Sequence, residues 1–197
     1  MSIKGNNLGF YYRKNDWLFR HLNIEISHKE ILGISGYSGS GKTSLSRILS
    51  NYMFPLEGTV EVDGRPFRKN EVQPVQLIFQ HPEKAINPKW RINEALVEGY
   101  QPDKEILERF GIKKEWFTRF PIELSGGELQ RICIIRALHP NTKYIIADEM
   151  TTMLDAITQK AIWKELLDVC EEREIGLAII SHEAALLSRL CHKVVSL

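Results

Sequence analysis

The spacing of apolar and polar positions divides the chain into a β-rich start and an alternating α/β remainder. Within residues 3–35, Leu8, Phe10 and Tyr12 alternate with Gly9 and Tyr11, and Leu22, Ile24 and Ile26 alternate with polar partners. This is the two-residue period of half-buried strands. The run Glu30-Ile-Leu-Gly-Ile-Ser35 is short, apolar and followed by glycines, which predicts a buried strand. From Lys42 to Tyr52 the period lengthens to that of a helix (Leu45, Ile48, Leu49), and Pro55 and Gly58 end it. Thr59-Val-Glu-Val62 returns to strand alternation before the turn Asp63-Gly64, and Val75 to Phe79 predicts another strand.

Residues 91–123 change character. They carry helical spacings (Ile92, Ala95, Leu96; Ile106, Leu107, Phe110) and the aromatics Trp116, Phe117 and Phe120, and read as a small helical insert. Those aromatics suit the insert's own core or an apolar groove for a partner helix. From Ser125 the pattern runs helix, strand (Tyr144 to Ala147), helix (Ala156 to Arg173), strand (Leu177 to Ile180), helix (Glu183 to Leu190), strand (Lys193 to Ser196). Strands alternating with helices predict a mostly parallel sheet with helices on its faces. No internal repeat or long linker interrupts the pattern, and Glu171-Glu-Arg-Glu174 reads as a solvated helix end.

Composition narrows the class. A chain of 197 residues, 43% hydrophobic and 26% charged, suits one globular domain rather than a disordered or fibrous protein. A formal charge of +1 is not the footprint of a nucleic-acid binder, and no nucleic-acid partner is expected. Cys133, Cys170 and Cys191 fit neither a disulfide framework nor a zinc pattern, so a reducing cytosol is the simpler setting. No run of about 18 apolar residues is available to span a bilayer, and the N-terminus lacks the apolar core of a signal peptide. A membrane connection would therefore come through a partner.

Gly36-Tyr-Ser-Gly-Ser-Gly-Lys-Thr43 fits G-x-x-x-x-G-K-[ST], directly after a predicted strand and opening a predicted helix. Glycines let the backbone curl so that successive N–H groups face an anion, and the new helix adds its positive end. Lys42 supplies a full charge for β- and γ-phosphates, and Thr43 offers a hydroxyl to Mg²⁺. Tyr144-Ile-Ile-Ala-Asp-Glu149 is an apolar strand ending in two acids, at the sheet edge where α/β proteins present ligand groups. Asp148 suits the Mg²⁺ shell. Glu149 suits orienting or deprotonating a water for attack on the γ-phosphorus.

Leu124-Ser-Gly-Gly-Glu-Leu-Gln-Arg131 resembles the signature motif of the ABC ATPase family, and it lies between the phosphate loop and the acidic strand as that family requires. Ser125 and Glu128 also form a capping-box pair, which starts a helix whatever its function. The resemblance implies an ABC ATPase fold of the α/β P-loop class. It has a mostly parallel core sheet with an antiparallel β-subdomain, about 1–85 and 135–197, and a helical subdomain, about 86–134. It assigns nucleotide binding to Gly36, Tyr37, Ser38, Gly39, Ser40, Gly41, Lys42, Thr43 and Ser44. Tyr12 resembles the aromatic that stacks on adenine, with Tyr11 as a rival. Gln80 resembles the glutamine that reaches Mg²⁺ and water, so the resemblance gives the metal Thr43, Gln80 and Asp148. Thr151 to Asp155 resembles the D-loop, and His182, after a strand, resembles the switch histidine near the γ-phosphate, a catalytic partner for Glu149. Two such domains pack head to tail in this family, so Ser125, Gly126, Gly127 and Glu128 would cap the ATP of a partner chain, in a homo- or heterodimer.

Departures from the family pattern are mild. Met150 stands where proline is common and Thr152-Met153 where serine-alanine is common; the chain ends soon after His182, which reads as a compact or shortened member. Phe79-Gln-His-Pro-Glu-Lys-Ala-Ile-Asn-Pro-Lys89 resembles the corresponding segment of oligopeptide, dipeptide and nickel importer ATPases, where it leads into the surface that grips a membrane subunit. The expected function is an ATPase subunit at the cytoplasmic face of the membrane. It would power an importer for peptides or nickel chelates, with transmembrane permease subunits as partners and, indirectly, a solute-binding protein. The alternative is a soluble ABC ATPase in an enzyme complex, such as one for phosphonate breakdown.

Overall fold

The structure is a computed structural model and describes residues 1–68 and 71–197. The chain forms two compact units: one of Met1–Leu77, Asn141–Glu149 and Arg173–Leu197, the other of Ile78–Pro140 and Met150–Glu172.

In the first unit, β1 (Ser2–Arg13) and β2 (Asp16–Ser27) form an antiparallel hairpin, and β4 (Glu57–Val62) pairs with the free side of β1. The second sheet has the order β5-β6-β7-β3-β8, from β3 (Ile31–Ser35), β5 (Val75–Ile78), β6 (Tyr144–Asp148), β7 (Gly176–Ile180) and β8 (Lys193–Ser196). The pairings of β3 with β7 and β8, and of β6 with β7, are parallel. Every residue of β6 and β7 is buried. That is why these runs are apolar without alternation: a parallel strand in mid-sheet has no solvated face.

Register then aligns the ends of three strands. Asp148 pairs with Ile180, and Ile34 pairs with the same Ile180. The loop after β3, the acids after β6 and the histidine after β7 therefore emerge side by side. Helix α1 (Lys42–Leu49) follows β3 and is shorter than the predicted span to Tyr52. Asn51 adopts a left-handed φ of 63°, and Tyr52 and Met53 turn their N–H groups back to the Arg47 carbonyl, closing the helix as a left-handed cap does. At the other end of β6 the buried Tyr144 donates its hydroxyl to Asp63 Oδ1 at 2.9 Å, and Lys143 Nζ donates to Asp63 Oδ2 at 2.7 Å.

The second unit holds α2 (Ile92–Val97), α3 (Lys104–Arg109), α4 (Gly126–Ala137) and α5 (Ala156–Glu172). Asp103 caps α3 by accepting the Ile106 N–H, and Ser125 with Glu128 forms the capping box of α4. Ile92, Leu96, Ile106, Phe110 and Trp116 are buried, Phe117 is half-buried, and Phe120 is exposed beneath the Arg91 guanidinium, 4.8 Å from the ring centre. Arg109 bonds Glu165 and Glu172, so α5 groups with the helical segment rather than with the strands. Among the described residues, no helix is long and apolar enough to cross a membrane.

The Tyr144–Asp63 bond is part-buried and charge-assisted, and such bonds contribute roughly 1.5–3 kcal/mol. Tyr144→Phe is expected to lower unfolding free energy by about that amount. Urea melts with an unchanged slope would report it, and a midpoint equal to wild type would refute it.

Candidate nucleotide site

The loop between β3 and α1 is tightly wound. A Cβ on Gly36 would lie 2.5 Å from Ser40 Oγ, and Gly41, the residue before the helix, has φ 96°. Only glycine meets both demands without strain. Helix α1 starts with no side-chain cap and no acid in its first turn, and the buried Ser40 hydroxyl has no partner among the described residues. Its first N–H groups are thus unclaimed by side chains, the arrangement that takes an anion.

Lys42 is buried. Its Nζ donates to the carbonyls of Gly36 and Tyr37, both at 2.9 Å, and lies 4.0 Å from Glu149 Oε1. Glu149 Oε1 in turn is 3.2 Å from His182 Nδ1, with His182 largely exposed. Lysine, glutamate and histidine thus form a chain across the strand ends. Glu149 reaches its place through strain: its φ is 46°, left-handed, while its N–H donates to the Ile180 carbonyl at 3.0 Å. Left-handed backbone disfavours a residue with a Cβ by roughly 1–2 kcal/mol.

Asp148 is 3% exposed. Ser46 Oγ donates to its Oδ2 at 2.9 Å, while Oδ1 is buried without a partner among the described residues. Burial pushes the carboxyl above its ordinary range and the neighbouring Glu149 charge pushes the same way, against the bond from Ser46 and the lowering influence of the nearby Thr43 hydroxyl. A buried carboxylate with an unfilled oxygen, within bonding reach of the Thr43 hydroxyl, fits a small hard cation such as Mg²⁺, which takes oxygen donors. Tyr12 lies beside this loop, its hydroxyl 3.0 Å from Ser44 Oγ, its ring edge-on to Phe10 and largely exposed. Tyr11 instead packs edge-on to Trp17.

Gln80 and the signature residues belong to the second unit. Gln80 is half-buried, just past β5. Ser125, Gly126, Gly127 and Glu128 line a groove of about 450 Å³ together with Met153, Leu154, Asp155 and Thr158, so signature and D-loop share one surface. Asp155 Oδ1 accepts the N–H groups of Ile157 and Thr158 at 3.0 Å, capping α5. The buried Thr151 hydroxyl accepts from Gln159 and Trp163. Sequence reasoning did not single out Ser46. The available signal was a serine beside Leu45 in the middle of a short helix, three residues past Thr43, where serine is a poor helix former.

A glycine-wound loop that opens an uncapped helix beside two acids is the geometry of the α/β P-loop class. The ABC transporter family matches residues 19–152. The methionine import ATP-binding protein MetN 2 of Listeria innocua is 34% identical over 196 residues, covering 88% of this chain and 56% of its own length. The probable peptide ABC transporter ATP-binding protein y4tS of Sinorhizobium fredii is 33% identical, over 88% of this chain and 54% of its own. The glutathione import ATP-binding protein GsiA of Escherichia coli O157:H7 is 36% identical, over 84% and 30%. The chain belongs to the ABC transporter family of ATP-binding proteins. It spans about half the length, or less, of these relatives. A dimeric structure of the bacterial ABC transporter cassette MJ0796 aligns with a TM-score of 0.80 at 24% identity, over 99% of this chain and 94% of that one, and shows the shared fold.

A carboxyl with a raised folded-state pKa subtracts from stability at neutral pH. The penalty is absent below the unfolded-state pKa and grows as pH rises toward the folded one. Asp148→Asn carries no charge to desolvate. It is expected to raise the thermal midpoint at pH 7, by about 2–4 °C per kcal/mol relieved, with the gain shrinking toward about pH 4. A lower midpoint than wild type at neutral pH would contradict this.

Proposed function

We propose that this chain is the ATP-binding and ATP-hydrolysing subunit of an ABC importer, working with Mg²⁺. The observation that carries the reading is the Lys42–Glu149–His182 chain beside an uncapped helix start and a buried Asp148. In this reading the N–H groups from Gly36 to Ser44 cradle the phosphates, and Lys42 neutralises β- and γ-oxygens. The exposed ring of Tyr12 takes the adenine. Thr43 and Asp148 hold Mg²⁺, which when bound offsets phosphate charge. Glu149 orients or deprotonates the attacking water, and His182 reads the γ-phosphate through its contact with Glu149.

Ser125, Gly126, Gly127 and Glu128 serve the ATP of a second chain. Gly126 supports this: an added Cβ would meet nothing within 4 Å in its own chain, so glycine there answers no internal packing need. The helical segment 86–134 is the working subdomain that meets transmembrane permease subunits at the cytoplasmic face. The names of the relatives, importers of methionine and glutathione and a probable peptide transporter, support import. The segment Phe79–Lys89 favours peptides or nickel chelates, delivered through a solute-binding protein.

Glu149→Gln is expected to keep ATP binding and lose about 10²–10⁴-fold in hydrolysis. With millimolar ATP it should accumulate as a dimer in light scattering. Adding Gly126→Ala removes a helix penalty of about 0.5–1 kcal/mol, stabilising the monomer, yet should abolish that dimer. Hydrolysis near the wild-type rate in Glu149→Gln would sink the assignment.

The importer reading is tested at the membrane. Ile86 is buried, so a polar substitution there would report folding; Lys89 is exposed. Pull-down from detergent-solubilised membranes should recover an integral membrane protein with wild type and much less with Lys89→Glu, whose nucleotide affinity stays unchanged. Recovery of a soluble enzyme complex instead would overturn the importer reading and leave the ATPase standing.

A further inference from the structure

Helix α1 buries a hydroxyl where packing alone would take an apolar residue. Ser46 is fully buried, on a helix whose other buried positions include Leu45, Ile48 and Leu49. Its Oγ has two acceptors, each at 2.9 Å: the Thr43 carbonyl in its own helix and Asp148 Oδ2. One hydroxyl hydrogen serves one acceptor at a time, and an ionised carboxylate is the stronger of the two. The first bond is the local back-bond open to any mid-helix serine. The second joins the phosphate-loop helix to the end of β6, across a sequence separation of 102 residues.

The two oxygens of a carboxylate are equivalent until something distinguishes them. Ser46 does so, engaging Oδ2 while Oδ1 remains buried and unpartnered among the described residues. Nothing else about Ser46 calls for a polar group, since alanine would fit the same helix with better propensity. We propose that Ser46 is a positioning residue for the metal: it fixes the plane of the Asp148 carboxylate and reserves Oδ1 for the divalent cation that accompanies the nucleotide. This rests on the reading of Asp148 as a metal partner given above. Ser46 itself touches neither metal nor phosphate. It acts as the outer hydrogen-bonding partners of metal ligands do, by holding a ligand's orientation.

The test uses the whole chain and Mn²⁺ as the probe. Mn²⁺ affinity of the protein–ATPγS complex is read from the free-ion EPR signal for wild type, Ser46→Ala and Asp148→Asn. Nucleotide affinity is measured in EDTA with a fluorescent ATP analogue. Ser46→Ala is expected to weaken Mn²⁺ binding by about 10-fold or more, as removal of such partners does, with metal-free nucleotide affinity unchanged. A purely structural serine would leave the Mn²⁺ affinity where it was. If Asp148→Asn weakens Mn²⁺ binding and Ser46→Ala does not, the role of Ser46 is overturned and the reading of Asp148 survives. If neither variant weakens it, the metal reading of Asp148 falls and this proposal with it.

Discussion

A carboxylate kept out of water at the end of a buried strand is the constraint that the rest of this molecule accommodates. Asp148 is nearly inaccessible, and burying an ionised carboxylate is strongly unfavourable unless donors and cations surround it. The fold supplies them from distant parts of the chain. Parallel register sets the end of β6 beside β7, which β3 flanks on its other side, and the first turns of α1 bring up Ser46, which donates to Asp148, and the Thr43 hydroxyl. The all-apolar strands β6 and β7 are the other half of that arrangement. They keep the surroundings of that carboxylate dry, where a hydrogen bond to it acts more strongly than in water.

Two helices in this chain begin with glycine-rich sequence, and they begin differently. α1 starts from Gly41 in a left-handed conformation with no side chain over its N–H groups. α4 starts from Ser125 with a complete capping box, and Glu128 is held below the usual carboxylate range, chiefly by the Ser125 backbone N–H. In the function proposed above, the uncapped start takes a polyanion, and the capped start with Gly126 and Gly127 allows close approach and a lighter electrostatic grip. In the function proposed here those are two different duties toward one nucleotide, one from each chain.

Most of the framework was legible in the sequence because it follows from periodicity. The strands near 30–35, 144–148 and 176–180 and the helices that follow them are written as apolar runs and glycine signals. Helix α1 was expected to reach Tyr52 and stops at Leu49, because Asn51 takes a left-handed turn that the apolar spacing does not encode. The candidate site residues lie in contiguous motifs, so one loop or one strand end brings their neighbours together. What escaped depends on distance in sequence. The Ser46–Asp148 bond, the bond from the Glu149 N–H to Ile180 that accompanies its left-handed φ, and the bonds from Arg109 to α5 each join segments that no local pattern relates. The helix 156–172 reads by itself as another crossover helix, and it is tertiary contacts that group it with the helical segment.

The left-handed backbone at Glu149 has an evolutionary consequence. At that position the local conformation favours glycine or asparagine, while the proposed chemistry requires a carboxylate, so folding and turnover select for different residues. As long as turnover is under selection, glutamate is retained against a standing conformational penalty. Once a gene copy is released from that selection, drift toward glycine or asparagine relieves strain and is favoured by stability alone. In duplicated cassettes descended from a chain like this one, the loss of the acid after β6 would therefore precede erosion of the loop after β3, whose glycines the turn itself requires.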